Sequence, residues 1–264
     1  MLYVVTAVHN RYSITEKFVK QLVAQTEKNI RLLLVDDGCT DGTAQMVKSI
    51  IPESIILQGD GNLWWGGALH KAYKWLMKNA KSDDNIIIMN DDTFFDKNFL
   101  KNGLTLLKEN IDDLITGYGV NVTTSKQADG AILFNSKNGR LELLLGNAEG
   151  NCTSTRALMM SFKSMRKIGG FHPILLPHYA SDYEYTIRAA RKGFKIKAFE
   201  SFCYSFDDAT TGNHDPKKAT LKQIFSKRSV FNPIYRLSFI LLITPVKHLP
   251  SHLATLIKRY IKKK

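Results

Sequence analysis

Four short apolar segments, Leu2–Val8, Ile30–Val35, Ile55–Leu57 and Ile86–Met89, alternate with helical stretches, and each runs into a polar cluster. No other feature constrains the fold as strongly. Strand, helix and strand joined by short connections predict a parallel sheet with right-handed crossovers. Ile86–Met89 is apolar at every position, as in a strand buried on both faces. The polar clusters are "HNR", "DDG", "GDGN" and "NDD" in chain order. Open sheets of this kind bind ligands outside the carboxyl ends of their strands, so the four clusters are expected to share one crevice.

The helical stretches carry their own local signals. Ser13 to Glu16 reads as a capping box opening the first helix, Asp41 or Thr40 can cap the second, and Leu69, Tyr73 and Leu76 recur at helical spacing in the third. From about residue 111 the alternation loosens. "AILFN" and "RLELLL" around "SKNG" predict a hairpin turning at Asn138-Gly139. "TRALMMSF" predicts a strand and "KSMRKIGGF" a short helix ended by glycines, while "ASDYEYTIRAARKGFKIKAF" predicts a capped helix, a glycine stop and a final strand. One domain over residues 1–215 and a tail over 216–264 are expected.

Charge sets the tail apart. Twelve of the 37 Lys and Arg residues follow Asp215 but none of the 24 Asp and Glu does, so a chain of net charge +13 is nearly neutral, at +1, up to that point. A basic tail on a neutral domain fits an anionic surface better than nucleic acid. Its longest apolar run, "LSFILLITPV", is far short of the ~20 residues that span a bilayer. Pro233, Pro245 and Pro250 divide it into short helices, which are expected to lie in a membrane interface; the competing expectation is that they pack on the domain. Cys39, Cys152 and Cys203 are odd in number and widely spaced, as in a cytosolic protein with reduced thiols, and the chain opens on "MLYVVTAV" without a basic leader. These features predict a cytoplasmic protein, peripheral on the inner face of the cell membrane.

Asp91 and Asp92 stand side by side at the end of a buried strand, where ionised carboxylates cost several kcal/mol unless compensated. A solvated turn is the plain reading; a hard divalent cation, Mg²⁺ or Mn²⁺, held by carboxylates and phosphate oxygens is the chemical one. In "VDDGCTDGT" the acids serve turns and caps, or one of them accepts a hydrogen bond from a nucleobase N–H. The aspartyl-phosphate motif of phosphatases has a different spacing. "GDGNLWWGGALHK" sets glycines at a helix entrance, where free N–H groups favour anions, and its tryptophans more often fill core than stack on a ligand. Ser181 to Glu184 reads as a second capping box, which leaves Asp182 in the first turn, kept ionised by the helix dipole and available as a general base. His214 is an outside metal candidate.

Taken together, "VTAVHNR", "VDDGCTDGT", "GNLWWGGALHKA", "IIIMNDDTFF", "IGGF" and "SDYEYTIRAARKGFKI" resemble, in order and spacing, the family 2 glycosyltransferases, most closely the branch of bacterial rhamnosyl- and other polysaccharide glycosyltransferases. The resemblance covers roughly residues 2–205. It implies a GT-A fold, a nucleoside-diphosphate sugar donor, a divalent cation and inversion at the anomeric carbon. It makes Ala7, His9 and Asn10 a nucleotide wall, Asp37 the base-reading carboxylate, and Gly66 and Gly67 part of the donor site. It gives Asp91 to the ribose or metal, Asp92 to the metal, and Asp182 to catalysis with Glu184 next in line. Asn90 stands where the D-x-D motif has Asp, Ser181 where the family often has Glu, and His9 where Tyr is usual. The acceptor implied is a glycan or lipid-linked glycan in cell-surface polysaccharide synthesis. A sugar-phosphate nucleotidyltransferase would open with a glycine-rich, basic phosphate loop that "VTAVHNR" lacks. A non-catalytic membrane-associated partner subunit would not be expected to keep all four acids.

Overall fold

The computed structural model describes residues 1–207, 224–227 and 229–261, with side chains to residue 256. His214 lies outside the described residues. Strands β1 (Leu2–Val8), β2 (Ile30–Asp36), β3 (Ile55–Gln58) and β4 (Asn85–Met89) run parallel, with α1 (Tyr12–Val23), α2 (Thr43–Ile50) and α3 (Trp64–Asn79) as their crossovers. Their spatial order is β3-β2-β1-β4. The winding therefore reverses between β1 and β4, the switch point where α/β sheets place ligands.

Beyond β4 the sheet becomes mixed. The chain continues through β5 (Thr93–Phe94), α4 (Phe99–Glu109), β6 (Leu114–Asn121), β7 (Gln127–Asp129), β8 (Ile132–Asn135), β9 (Arg140–Leu143), β10 (Ala148–Gly150), β11 (Ala157–Ser161), α5 (Phe162–Ile168), α6 (Ser181–Arg191) and β12 (Ile196–Phe206). Strand β11 inserts antiparallel between β4 and β6, with Ala157 opposite Met89 and Met159 opposite Ile115. Its direction carries residues 153–156 to the carboxyl end of β4. The hairpin forms as expected, Asn135 pairing with Arg140 across a four-residue connection in which Gly139 is left-handed, at φ +72°.

Two apolar layers sandwich the sheet. In β4, Ile87 and Met89 face Phe18, Leu22 and Phe99 of α1 and α4, while Ile86 and Ile88 face Leu69 and Leu76 of α3 and Tyr185 of α6. Period-two alternation with both faces filled explains the unbroken apolar run.

Both capping boxes are corrected. Helix α1 begins at Tyr12, so Ser13 lies inside its first turn, and the Tyr12 N–H is held at 3.0 Å by Asp41 from the next strand–helix connection. Asp41 also accepts from the Thr43 N–H (3.1 Å) and hydroxyl (2.6 Å), so one carboxylate ties the entrances of α1 and α2. Ser181 is the first residue of α6 and donates backwards to the His178 carbonyl (2.7 Å), while Glu184 pairs with Arg188 at 2.7 Å.

In the tail, α7 (Pro233–Ile243) starts on Pro233 under an Asn232 cap, and α8 (Leu249–Ile261) follows Pro245 and a short 3₁₀ turn. The prolines set these breaks as expected. One side of these helices packs on the domain. Ile243 joins Ile132, Phe134, Cys152 and Ile187 in one apolar cluster, and Arg191 of α6 donates to the Leu242 and Ile243 carbonyls at the end of α7. His252 fastens the hairpin, its ring nitrogen 3.1 Å from the Ser136 carbonyl oxygen.

Candidate active site

The ends of β1 and β2 are laced together by short polar contacts. His9 Nδ1 lies 2.6 Å from the Asp37 carbonyl oxygen, and the Asn10 side chain accepts from the Thr40 N–H at 2.8 Å. Ala7 is partly buried one turn of strand below, while His9 and Asn10 are exposed at the crevice. The polar groups of His9 and Asn10 are thus held by the connection after β2.

Asp37 plays a larger structural part than its sequence context indicates. It accepts from the N–H groups of Gly61 (3.0 Å), Leu63 (3.2 Å) and Trp64 (2.9 Å), and so folds the connection between β3 and α3 around itself. Gly59 packs so tightly here that a Cβ would sit 2.6 Å from Asp37 Oδ1. The Asp37 carboxylate thus already holds three backbone donors, which any further donor would have to share. The free-donor reading of the glycines is corrected. The Gly66 N–H donates to the Pro177 carbonyl (2.8 Å), and a Cβ on Gly66 would come within 2.4 Å of the Leu176 oxygen. Gly66 lets residues 176–177 approach α3, and Gly67 is buried beside Leu63 and Pro173. Of the two tryptophans, Trp65 packs in the core and donates to Thr155 (2.9 Å), whereas Trp64 stands at φ +57° with its ring 5.5 Å from His178. Asn10, Trp64 and Ala180, at φ +51°, +57° and +64°, put three left-handed non-glycine residues in the connections around this crevice. Strained backbone of this kind gathers at functional sites.

Asp91 and Asp92 are both buried, and a cation compensates them. Arg11, at the entrance of α1, places Nε 3.3 Å from Asp91 and Nη2 3.2 Å from Asp92, and the Thr15 hydroxyl donates to Asp91 at 2.8 Å. Burial pushes the Asp91 carboxyl up to about 6 against the pull of Arg11 and Thr15, and Asp92 adds to the rise. Among the described residues no group of three or more His, Cys, Asp or Glu side chains could hold a metal. Two carboxylates nonetheless fit Mg²⁺ or Mn²⁺, which takes hard oxygen ligands and completes its shell with substrate phosphates and water. Asp92 and Asp91 would be the protein ligands.

Asp182 lies in the first turn of α6, with Oδ1 accepting the Tyr183 N–H at 2.9 Å. Contrary to expectation, the helix dipole does not hold its pKa low. Desolvation pushes the carboxyl up to about 6, the Tyr183 N–H and Arg156 pull it down, and Asp129 raises it further. A carboxylate poised there ionises near neutral pH and still binds a proton well, as a general base must. Glu184 is buried and engaged by Arg188, with His172 3.6 Å away, so it does not stand ready as a second base.

Three residues of this neighbourhood were assigned no role from the sequence. Asp129 accepts from Tyr204 (2.8 Å) and Ser154 (2.6 Å); Arg156 stacks 3.8 Å above the Phe206 ring, and its carbonyl takes the Asn90 N–H at 3.1 Å. Both influence Asp182 electrostatically. The third, Arg11, stands in the quoted "HNR", but only the fold shows that it reaches across from β1 to the end of β4.

A family model described as glycosyl transferase family 2 matches residues 3–169. Among solved structures the chain is similar to the mannosyltransferase PcManGT from Pyrobaculum calidifontis in complex with GDP-Man and Mn²⁺, at 14% identity and a TM-score of 0.58 over 97% of this chain and 64% of that one. It is also similar to TarS 1–349 from S. aureus in complex with UDP-GlcNAc (15%, 0.64, 99% and 72%) and to GalNAc-T7 with UDP, GalNAc and Mn²⁺ (10%, 0.66, 90% and 48%). The chain thus spans just under two thirds of the mannosyltransferase and about half of GalNAc-T7. At these identities the likeness is one of fold. No curated protein sequence matches the chain significantly.

Proposed function

The chain belongs to glycosyl transferase family 2 and has a GT-A fold, and from that premise we propose that it is an inverting enzyme. It moves a sugar from a nucleoside-diphosphate donor to a hydroxyl of a glycan or lipid-linked glycan in cell-surface polysaccharide synthesis. The observation that carries this reading is the buried acid pair Asp91 and Asp92 at the end of β4, whose neighbour Asn90 bonds the backbone of Arg156, a residue that acts electrostatically on the desolvated Asp182 carboxyl. In the proposed step the acceptor oxygen attacks the anomeric carbon from the side opposite the diphosphate. Asp182 takes the hydroxyl proton, and the glycosidic C–O bond breaks with its electron pair leaving on the diphosphate. A divalent cation on Asp92 and Asp91 would neutralise that leaving group. Arg11 keeps the acid pair compensated until the donor and its cation arrive, and Arg156 and Asp129 bias the proton affinity of Asp182 in opposite directions.

The test is a panel of nucleotide sugars with Mn²⁺, read as donor hydrolysis, product anomeric configuration and thermal stabilisation. At least one donor should stabilise the protein by mass action and be hydrolysed. Stabilisation without any turnover would leave a non-catalytic subunit, and release of pyrophosphate from a nucleoside triphosphate and a sugar phosphate would make it a nucleotidyltransferase.

The same proposal puts the protein on an anionic membrane at the cytoplasmic face. It is supported by α7, which exposes Ile234, Leu237 and Leu241, three or four residues apart and therefore on one helical face, in a tail that lacks acids. No helix of the described residues is long and apolar enough to cross a membrane.

A further inference from the structure

Between the β8–β9 hairpin, the entrance of α6 and the two tail helices lies a cavity of about 390 Å³. Sites for small organic molecules commonly measure about 300–1,000 Å³. Leu141 supplies one wall, Tyr179, Ala180 and Tyr183 a second, and Phe239 and Ile240 of α7 a third. Asp182 does not line the cavity, but Ala180 and Tyr183 flank it within the same turn. The space therefore begins one helical turn from the group that must touch the acceptor hydroxyl.

Its framework is built rather than incidental. His252 pins the hairpin loop to α8 through the Ser136 carbonyl, and a Cβ on Gly139 would come 3.0 Å from the His252 ring. Arg191 holds the end of α7, and the left-handed Ala180 turns the chain into α6 along the wall. Among the described residues Arg236 is the one Lys or Arg in the lining, with Nε on the Val230 carbonyl at 2.9 Å and its guanidinium 5.1 Å from the Phe231 ring. Apolar walls with one guanidinium suit a hydrocarbon chain that ends in an anion.

We propose that this cavity seats the alkyl or prenyl chain of an amphiphilic acceptor, a chain–phosphate–glycan whose sugar hydroxyl reaches Asp182. The inference rests on the transferase reading above. The donor is expected along the ends of β1, β2 and β4, so a ligand on the α6 side of the base is on the acceptor side. The outward apolar face of the same helix α7, at Ile234, Leu237 and Leu241, provides a path for such a chain from a membrane.

The test uses the full chain and n-alkyl phosphates of four, eight and twelve carbons below their micelle concentrations, titrated calorimetrically. Burial of each methylene should tighten binding by about fourfold, until the cavity is full and the series flattens. Thr255→Trp and, independently, Ile240→Trp fill the space; each should weaken the two longer chains at least tenfold and leave butyl phosphate and donor hydrolysis unchanged. If one variant fails to fold, the other and the wild-type series still decide. Binding independent of chain length, or a steady gain without a plateau that neither variant alters, would overturn the cavity. If phosphatidylglycerol vesicles displace dodecyl phosphate fully, the occupant is a bulk lipid chain and the acceptor assignment falls. A saturating series in a protein that hydrolyses no donor would leave a lipid site and sink the transferase reading, whereas hydrolysis without the series would sink only this inference.

Discussion

The half of the molecule proposed to take the donor and the half proposed to take the acceptor are built on different principles. From β1 to β4 each strand ends in polar residues of its own segment, and neighbouring strand ends interlock: His9 with Asp37, Asn10 with Thr40, Asp41 with Tyr12. From β6 onward the groups around Asp182 arrive from distant places, Asp129 from a three-residue strand, Arg156 from the turn before β11 and the tail from beyond residue 224. A site written in strand ends is fixed by the sheet itself. The second site is fixed only when long-range packing closes around it.

The largest expected effect breaks the acceptor half alone. Asp182→Asn keeps the shape and the acceptor for the Tyr183 N–H but removes proton affinity, so turnover should fall about 10²–10⁴-fold while donor affinity stays near wild type. In the wild type the rate should fall tenfold per unit as pH drops below about 6, where the base becomes protonated. Steady-state kinetics across pH check both; near-normal turnover in Asp182→Asn would move the base elsewhere.

Asp92→Ala breaks the donor half. Losing a ligand to a cation that stabilises the leaving group by several kcal/mol should lower turnover by about 10²-fold or more, and here donor affinity should fall with it. Chelator should abolish the wild-type rate and Mn²⁺ or Mg²⁺ restore it. Full activity in excess chelator would overturn the cation role of Asp91 and Asp92.

This contrast also explains what was legible. The strands β1–β4, their polar ends and the positions of Asp91, Asp92 and Asp182 follow from periodicity and motif order. The two capping boxes misled because other partners took the groups S-x-x-E accounts for: a remote one at α1, where Asp41 holds the Tyr12 N–H, and competing local ones at α6, the His178 carbonyl for Ser181 and Arg188 for Glu184. Asp129 and Arg156 sit in short or irregular segments with no period to read. Gly66 looked like an anion donor because its partner, Pro177, is remote in sequence. In the tail, an apolar helix reads the same whether it faces a core or a membrane.

Helix α7 puts that ambiguity to the test within one element. Ile243 is 2% exposed and shares the cluster of Ile132 and Ile187, so Ile243→Ala should cost about 2–4 kcal/mol in urea unfolding. Ile234→Ser with Leu237→Ser and Leu241→Ser should stay within about 0.5 kcal/mol per site yet reduce co-sedimentation with phosphatidylglycerol liposomes. High salt should weaken the wild-type association, because each basic residue near an anionic surface contributes about 1 kcal/mol. Liposome binding indifferent to both the triple variant and salt would leave the tail a purely structural element.

The smallest effect compares two carboxylates whose pH behaviour should have opposite sign. Hydrogen bonds, first that from the Thr43 hydroxyl, lower the Asp41 pKa below its ordinary value. Its stabilisation is therefore present above the unfolded value near 4 and lost as pH falls through the folded one. Asp41→Asn should cost about 0.5–1 kcal/mol at pH 7, the size of a helix cap, and less in acid. Asp182 is raised to about 6. The folded state binds its proton more tightly than the unfolded chain does, so its contribution is fully favourable below about 4 and is lost as pH rises through about 6. Two units correspond to at most about 3 kcal/mol, and the partial opening of Asp182 to the crevice reduces this to about 1–2. Asp182→Asn should thus melt a few degrees higher than wild type at pH 8, and the gain should vanish near pH 4. A variant that melts lower at pH 8, or keeps its gain at pH 4, would show that the base is solvated, and the catalytic role built on its desolvation would need another origin.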